Sequence, residues 1–189
     1  LNFLQENQIY NNNIEKILFL ESQIQKKVKG LGQQITRDFT GKDLVVIGVL
    51  KGAFVFVSDL VRNIELPLML DFIHISSYGN ATVSSGVVAI KRDIGIDIEG
   101  KDVLIVEDIV DTGLTIKKIT EIFDQRKART ISVCSILDKP SRRNKDMKIK
   151  IDYIGFTISD EFVVGYGLDF KEEYRNLPDI CVLKKEAYI

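Results

Sequence analysis

The sequence predicts an α/β domain built on a mostly parallel, twisted sheet flanked by helices, and three observations carry that prediction. Short, nearly continuous apolar runs recur at residues 43–50 (DLVVIGVL), 67–76 (PLMLDFIHIS), 103–106 (VLIV) and 129–137 (RTISVCSIL). Such runs form strands buried on both faces. Stretches of helical character separate them, at 53–64 (AFVFVSDLVRNI) and 115–127, and this alternation is what produces a parallel sheet. Three of the apolar runs end in polar residues, Lys51-Gly52, Glu107-Asp108 and Asp138-Lys139. Strand C-termini in open α/β sheets open into the crevice where ligands bind, so the fold class itself brings these residues to one edge.

At 189 residues the chain suits a single domain with a core of its own, without disulfide or metal staples. Lys plus Arg number 26 against 27 Asp plus Glu, a formal net charge of -1, so the overall charge does not favour nucleic acid. Cys134 and Cys181 show no paired spacing. Both read as buried hydrophobes in strands, which suits a reducing cytoplasm. No apolar run reaches the length of a membrane span. Near the N-terminus, Asn11, Asn12 and Asn13 read as a helix cap. Residues 14–29 (IEKILFLESQIQKKVK) then place Ile14, Ile17, Leu18, Ile24 and Val28 near one face of an amphipathic helix that ends at Gly30.

The stretch with the most chemistry is residues 103–115, VLIVEDIVDTGLT. An apolar strand meets two adjacent carboxylates, Glu107 and Asp108. Asp111 and a small, hydroxyl-bearing turn follow: Thr112, Gly113, Leu114 and Thr115. Gly113 lets the backbone approach a ligand closely, and the amides at the start of the next helix favour an anion, most naturally a phosphate. Carboxylates repel phosphate, so the acidic pair must face sugar hydroxyls, a divalent cation, or both. An acidic pair alone is as well explained by a solvated loop or a helix N-terminal charge bias. The whole arrangement is far more specific than its parts.

That arrangement resembles the phosphoribosyl pyrophosphate (PRPP) motif of the type I phosphoribosyltransferases, an apolar strand, an acidic pair and a D-T-G-x-T loop in this order. The resemblance implies that Glu107 and Asp108 hold the ribose hydroxyls while residues 111 to 115 cradle the 5′-phosphate. Three further segments extend it over nearly the whole chain. Lys51 and Gly52 resemble the family's pyrophosphate loop, where the preceding Leu-Lys peptide, here Leu50 to Lys51, is commonly cis. Ser77 and Tyr78 begin SSYGNATVSSG, which by composition reads as a mobile loop and by resemblance as a flap over the substrates, with VVAIKRD pairing back as a strand. Lys139 matches a lysine that donates to the exocyclic oxygen of a 6-oxopurine. FVVGYGLD, residues 162–169, resembles a purine hood in which Phe162 stacks on the base and the backbone of Val163 pairs with its edge. Asp169 matches a carboxylate that reaches a magnesium ion on the pyrophosphate, and Arg175 a basic residue that grips the same group.

By this resemblance the chain is one phosphoribosyltransferase domain, residues 1–189, with a core of about 35–160, a flap loop of about 76–90, and a hood from the N-terminal segment and about 161–189. The implied activity is purine salvage, transfer of the 5-phosphoribosyl group of PRPP to a 6-oxopurine such as hypoxanthine or guanine with release of pyrophosphate. Mg2+ is the implied cofactor, with Glu107, Asp108 and Asp169 its candidate ligands and the substrate phosphates the rest. Asp111 is the candidate base for the purine N7 proton. A homodimer or homotetramer in the cytoplasm is expected, with neither nucleic acid nor membrane as partner. Arg142, Arg143, Lys145, Lys148 and Lys150 read as a solvated or subunit-contact surface. Two alternatives stay open: a PRPP-sensing regulatory protein on the same fold, and transfer to another base such as xanthine or a pyrimidine.

Overall fold

The structure, a computed structural model, describes residues 12–77, 88–143 and 149–188. Along the described residues the elements are β1 (Ile14–Phe19), α1 (Glu21–Phe39), β2 (Leu44–Leu50), α2 (Phe54–Val61), β3 (Met69–Ser77), β4 (Val88–Arg92), β5 (Asp102–Val110), α3 (Leu114–Gln125), β6 (Thr130–Asp138), β7 (Tyr153–Thr157), β8 (Val163–Val164) and β9 (Ile180–Leu183). The main sheet has the order β4-β3-β2-β5-β6-β7. Strands β3, β2, β5, β6 and β7 pair parallel, and β4 returns antiparallel against β3. This is the expected α/β architecture. A strand beyond the flap segment does pair back, with Ile75 opposite Ile90.

The continuous apolar runs are explained by burial on both faces of the sheet. Successive side chains point to opposite sides. Leu104 and Val106 of β5 pack with Ile24, Val28 and Ile35 of α1 and Phe56 and Leu60 of α2. Val103 and Ile105 pack on the other side with Ile116, Ile119 and Phe123 of α3. All four β5 side chains are fully inaccessible, each contributing about 1.5–3 kcal/mol relative to exposure. No helix among the described residues is long and apolar enough to cross a membrane.

The N-terminal segment corrects the sequence reading. Residues 14–29 are not one helix: Ile14–Phe19 is a strand, and α1 runs from Glu21 past Gly30 to Phe39. Strand β1 pairs antiparallel with β9, Ile17 opposite Cys181, with register shifts on either side. That partner is remote in sequence, so no local period could announce it. The break between strand and helix is set by one remote contact and one local one. The Glu21 amide donates to Asp179 at 2.6 Å, and the Leu20 amide to the Gln23 side chain at 2.9 Å. Asn12 and Asn13 form the turn before β1 rather than a helix cap. Gly30 does not end the helix, and Gly32 inside it is needed: a Cβ there would lie 2.4 Å from the Asn63 carbonyl oxygen. Strands β1, β9 and β8 form a second, three-stranded sheet, with Phe19 of β1 stacked on Phe156 of the edge strand β7.

Candidate active site at the switch point of the sheet

The chain leaves β2 through α2 toward β3 on one side, and leaves β5 through α3 toward β6 on the other. The connections diverge between β2 and β5, which makes that gap the switch point where ligands bind in such sheets. Pairing of β2 with β5 runs from Leu44/Asp102 to Gly48/Val106 and then stops. Beyond it, β2 continues through Val49 and Leu50 into a cis Leu50–Lys51 peptide, as the sequence resemblance implied. Strand β5 continues through Glu107 and Asp108, so the acidic pair lies inside the strand, at its separated end, rather than just past it.

The two loops meet at close quarters. A Cβ on Gly52 would lie 1.5 Å from Oδ2 of Asp108, and a Cβ on Gly167 would lie 2.2 Å from the Gly52 carbonyl oxygen. Lys51-Gly52, the acidic pair and the hood segment therefore share one crevice. Glu107 is 6% exposed. Burial first, and the adjacent Asp108 second, raise its proton affinity well above that of an ordinary carboxylate. Burial also raises that of Asp108, against which the Ile109 amide, donating to it at 2.7 Å, and the Arg175 charge work in the opposite direction. A buried acidic pair of this kind gains from ribose hydroxyls, from a cation, or from both.

Residues 111–115 form the turn into the start of α3. Gly113 is the residue before the helix, with φ at +83°, a left-handed conformation that favours glycine. A Cβ there would also lie 1.9 Å from Cδ1 of Ile149. Lys117 donates the first intrahelical bond, to Gly113, at 3.0 Å. The amides ahead of it, including those of Leu114 and Thr115, have no acceptor within the helix, the Leu114 amide reaching only the Thr112 hydroxyl at 3.5 Å, and unpaired amides at a helix start favour an anion. The Asp111 carboxylate accepts the Thr112 amide.

On the far side of this loop a cavity of about 310 Å³ is lined by Asp111, Lys139, Arg142, Asp160, Glu161, Phe162 and Tyr188. Lys139 is held there by three contacts. Its own amide donates to the Val110 carbonyl at 2.9 Å, fixing it beside β5. Its ammonium, 12% exposed, donates to the Glu161 carbonyl at 2.7 Å and pairs with Asp160 at 3.5 Å. Phe162 stacks on Tyr188, ring centroids 4.7 Å apart, and meets the Phe170 ring edge-on. Val163 opens β8, opposite Val182.

Asp169, Arg175 and Lys51 form a charged group around Glu172. Arg175 pairs with Asp169 at 2.8 Å and donates to the Gly167 carbonyl at 2.8 Å. Glu172 accepts from both Lys51 and Arg175. Among the described residues no three acidic, Cys or His side chains cluster as a ready metal cage. The residues present fit a hard cation in a different way: one buried acidic pair, with the remaining ligands supplied by substrate oxygens and water.

Several residues here escaped sequence reasoning. Of the basic run expected to form a solvated or subunit-contact surface, Arg142 is exposed as expected while also lining the cavity, but Arg143 turns inward to the Asp138 carboxylate and the Val110 carbonyl. Lys150 is solvated as expected, its side chain 86% exposed beside Asp152. Asp160, Glu161, Tyr188 and Glu172 belong to no motif, and only the fold brings them to the site. Of the flap residues, Ser77 closes β3. Tyr78, Lys145 and Lys148 lie outside the described residues.

The chain is similar to known proteins over most of its length. The phosphoribosyl transferase domain family matches residues 19–171, and the chain belongs to that family. Within it, the hypoxanthine-guanine phosphoribosyltransferase of Bacillus subtilis (strain 168) is 52% identical over 175 residues, covering 93% of this chain and 96% of its own. The crystal structure of a hypoxanthine phosphoribosyltransferase from Staphylococcus aureus superimposes with a TM-score of 0.91 at 48% identity, covering 97% of this chain and 98% of that one. A hypoxanthine phosphoribosyl transferase from Trypanosoma cruzi does so at 0.87 and 39%, covering 94% and 95%. The chain thus matches these relatives over almost their full length.

Proposed function

We propose that the protein is a purine salvage enzyme that transfers the 5-phosphoribosyl group of PRPP to hypoxanthine, and to guanine, forming the nucleoside 5′-monophosphate and pyrophosphate. The observation that carries this reading is Asp111, which opens the phosphate turn and also lines the cavity that holds Lys139 and Phe162. A sugar phosphate seated on that turn puts its C1 beside the cavity, where a purine nitrogen can attack it.

The residues divide the work. The amides at Gly113 to Thr115, with the Thr112 and Thr115 hydroxyls, take the 5′-phosphate, while Glu107 and Asp108 hold the ribose hydroxyls. Lys51, the Gly52 backbone and Arg175 grip the pyrophosphate. Phe162 offers its ring to the base, and the Val163 backbone reads the base edge. Lys139 has three N–H donors, two of them turned to Glu161 and Asp160, and directs a donor to the exocyclic oxygen of a 6-oxopurine. Asp111 accepts the N7 proton as the new bond forms. Bond breaking ahead of attack builds oxocarbenium character on the ribose, which the neighbouring carboxylates favour electrostatically. Glu107, Asp108 or Asp169, together with phosphate oxygens, would hold Mg2+, which when bound would disperse charge on the leaving pyrophosphate.

The deciding experiment incubates the protein with PRPP, Mg2+ and one base at a time, following pyrophosphate release and separating the nucleotides. Hypoxanthine and guanine should give their 5′-monophosphates. Turnover with a pyrimidine only, or tight PRPP binding with no transfer to any base, would overturn the reading in favour of another transferase or a PRPP sensor.

A further inference from the structure

Lys51 and Arg175 are joined by one carboxylate that no motif marks. Glu172 accepts from Lys51 Nζ at 2.9 Å and from Arg175 Nη2 at 3.0 Å. The turn around it holds this aim. Lys171 and Glu172 both sit at positive φ, 52° and 67°, which is uncommon for residues with a Cβ. The Glu172 amide donates to Asp169 at 2.9 Å, and Phe170 and Glu173 exchange backbone hydrogen bonds across the turn. The result spans two remote parts of the chain and brings one carboxylate to both cations assigned to the pyrophosphate, Arg175 also pairing with Asp169 at 2.8 Å.

We propose that Glu172 is an intramolecular competitor for the pyrophosphate subsite: its carboxylate holds Lys51 and Arg175 when no pyrophosphate is bound, yields them to the phosphate oxygens, and retakes them as the product leaves. The inference rests on the reading that Lys51 and Arg175 grip pyrophosphate. Electrostatics set its direction. A pyrophosphate carries several charges and more acceptor oxygens than one carboxylate, so it wins the cations, but it must first displace the carboxylate. The exchange is accessible, because the Lys51 and Glu172 side chains are 51% and 64% exposed. That exposure also limits the effect, since exposed pairs are weak. Releasing both cations from the competitor corresponds to about a three- to tenfold change in affinity. The competitor therefore promotes product release without blocking substrate entry.

The test is inhibition by inorganic pyrophosphate, with Mg2+ present, measured against PRPP for the wild type, Glu172→Gln and Glu172→Asp, with Glu173→Gln as a neighbouring charge control. The inhibition constant should fall about three- to tenfold in Glu172→Gln and less in Glu172→Asp, whose shorter arm keeps one partner; the Glu173→Gln value should stay near wild type. The KM for hypoxanthine should not move, and the difference between wild type and Glu172→Gln should shrink at high salt. An unchanged or higher constant in Glu172→Gln overturns the proposal, and Glu172→Asp decides the matter should the Gln variant misfold. Lys51→Ala separates the premise from the inference: if it leaves wild-type pyrophosphate inhibition intact, the assignment of Lys51 itself is what fails.

Discussion

The closest approach at the site, Gly52 against Asp108, allows one perturbation to be worked through. In Gly52→Ala the new methyl would lie 1.5 Å from Oδ2 and 2.5 Å from Cγ of Asp108, where ordinary contact begins at 3.4 Å. The loop has little room to retreat, because Gly167 packs against the carbonyl of Gly52 itself. The carboxylate must therefore swing by about 2 Å, an overpacking that costs about 1–3 kcal/mol. It also pulls away from the Ile109 amide, now at 2.7 Å. For a chain of this size each kcal/mol lowers Tm by about 2–4 °C, so the variant stays folded at 25 °C. Catalysis should suffer much more. A misplacement of 1 Å can cost about a hundredfold, so kcat/KM for PRPP should fall at least that far, equivalent to about 2.7 kcal/mol of transition-state stabilisation. Initial rates of pyrophosphate release against PRPP at saturating hypoxanthine, beside a melting curve of the same sample, measure both effects. A Gly52→Ala enzyme within about threefold of wild type in kcat/KM would show that the position of Asp108 does not matter to PRPP, and the reasoning would fall.

Three other outcomes follow from particular contacts. Asp111→Asn should lower kcat by about a hundredfold or more while changing PRPP affinity little, because the amide keeps the turn but cannot take a proton; steady-state kinetics with direct PRPP titration would detect the opposite pattern. Within α1, Gly30 has open space where its Cβ would be and Gly32 does not. Gly30→Ala should raise stability by about 0.5–1 kcal/mol and Gly32→Ala should lower it by about 1–3 kcal/mol in denaturant titrations. At the start of β5 the Arg129 guanidinium, helped by the Thr130 hydroxyl at 2.7 Å, holds the Asp102 carboxyl below the ordinary carboxylate range despite its burial. A depressed carboxylate contributes stability that is fully present above its unfolded pKa and is lost as pH falls through its folded one. Asp102→Asn should thus be less stable at pH 7, by about 1–2 kcal/mol given that Arg129 is half exposed, and the gap to wild type should close as pH falls through the lowered Asp102 pKa.

Much of the molecule was legible from local pattern. Burial on both faces leaves an unbroken apolar run, so β2, β5 and β6 were visible as strands. Their polar ends, Lys51, Glu107, Asp108 and Lys139, could be assigned to one edge because parallel strands all point the same way. The turn at Gly113 was equally readable, since a residue at positive φ ahead of a helix restricts what the chain can place there. Residues 14–29 misled because Ile14, Ile17 and Leu18 satisfy a helical spacing while the segment spends its first part as β1, held by β9. Arg143 misled because a basic run looks the same whether its partners are solvent or carboxylates.

By itself, then, the order of residues determined the α/β class, the sheet edge that carries Lys51, Glu107, Asp108 and Lys139, and the turn at residues 111–115, because each depends on neighbours within a strand, a turn or a helix. Only the tertiary structure decided that Gly167 meets Gly52, that Glu161 turns its carbonyl to Lys139, that Tyr188 covers Phe162, and that Glu172 bridges Lys51 and Arg175. Those contacts join segments far apart in sequence. Their energy comes from packing and charge across the folded interior, which leaves no period or motif along the chain.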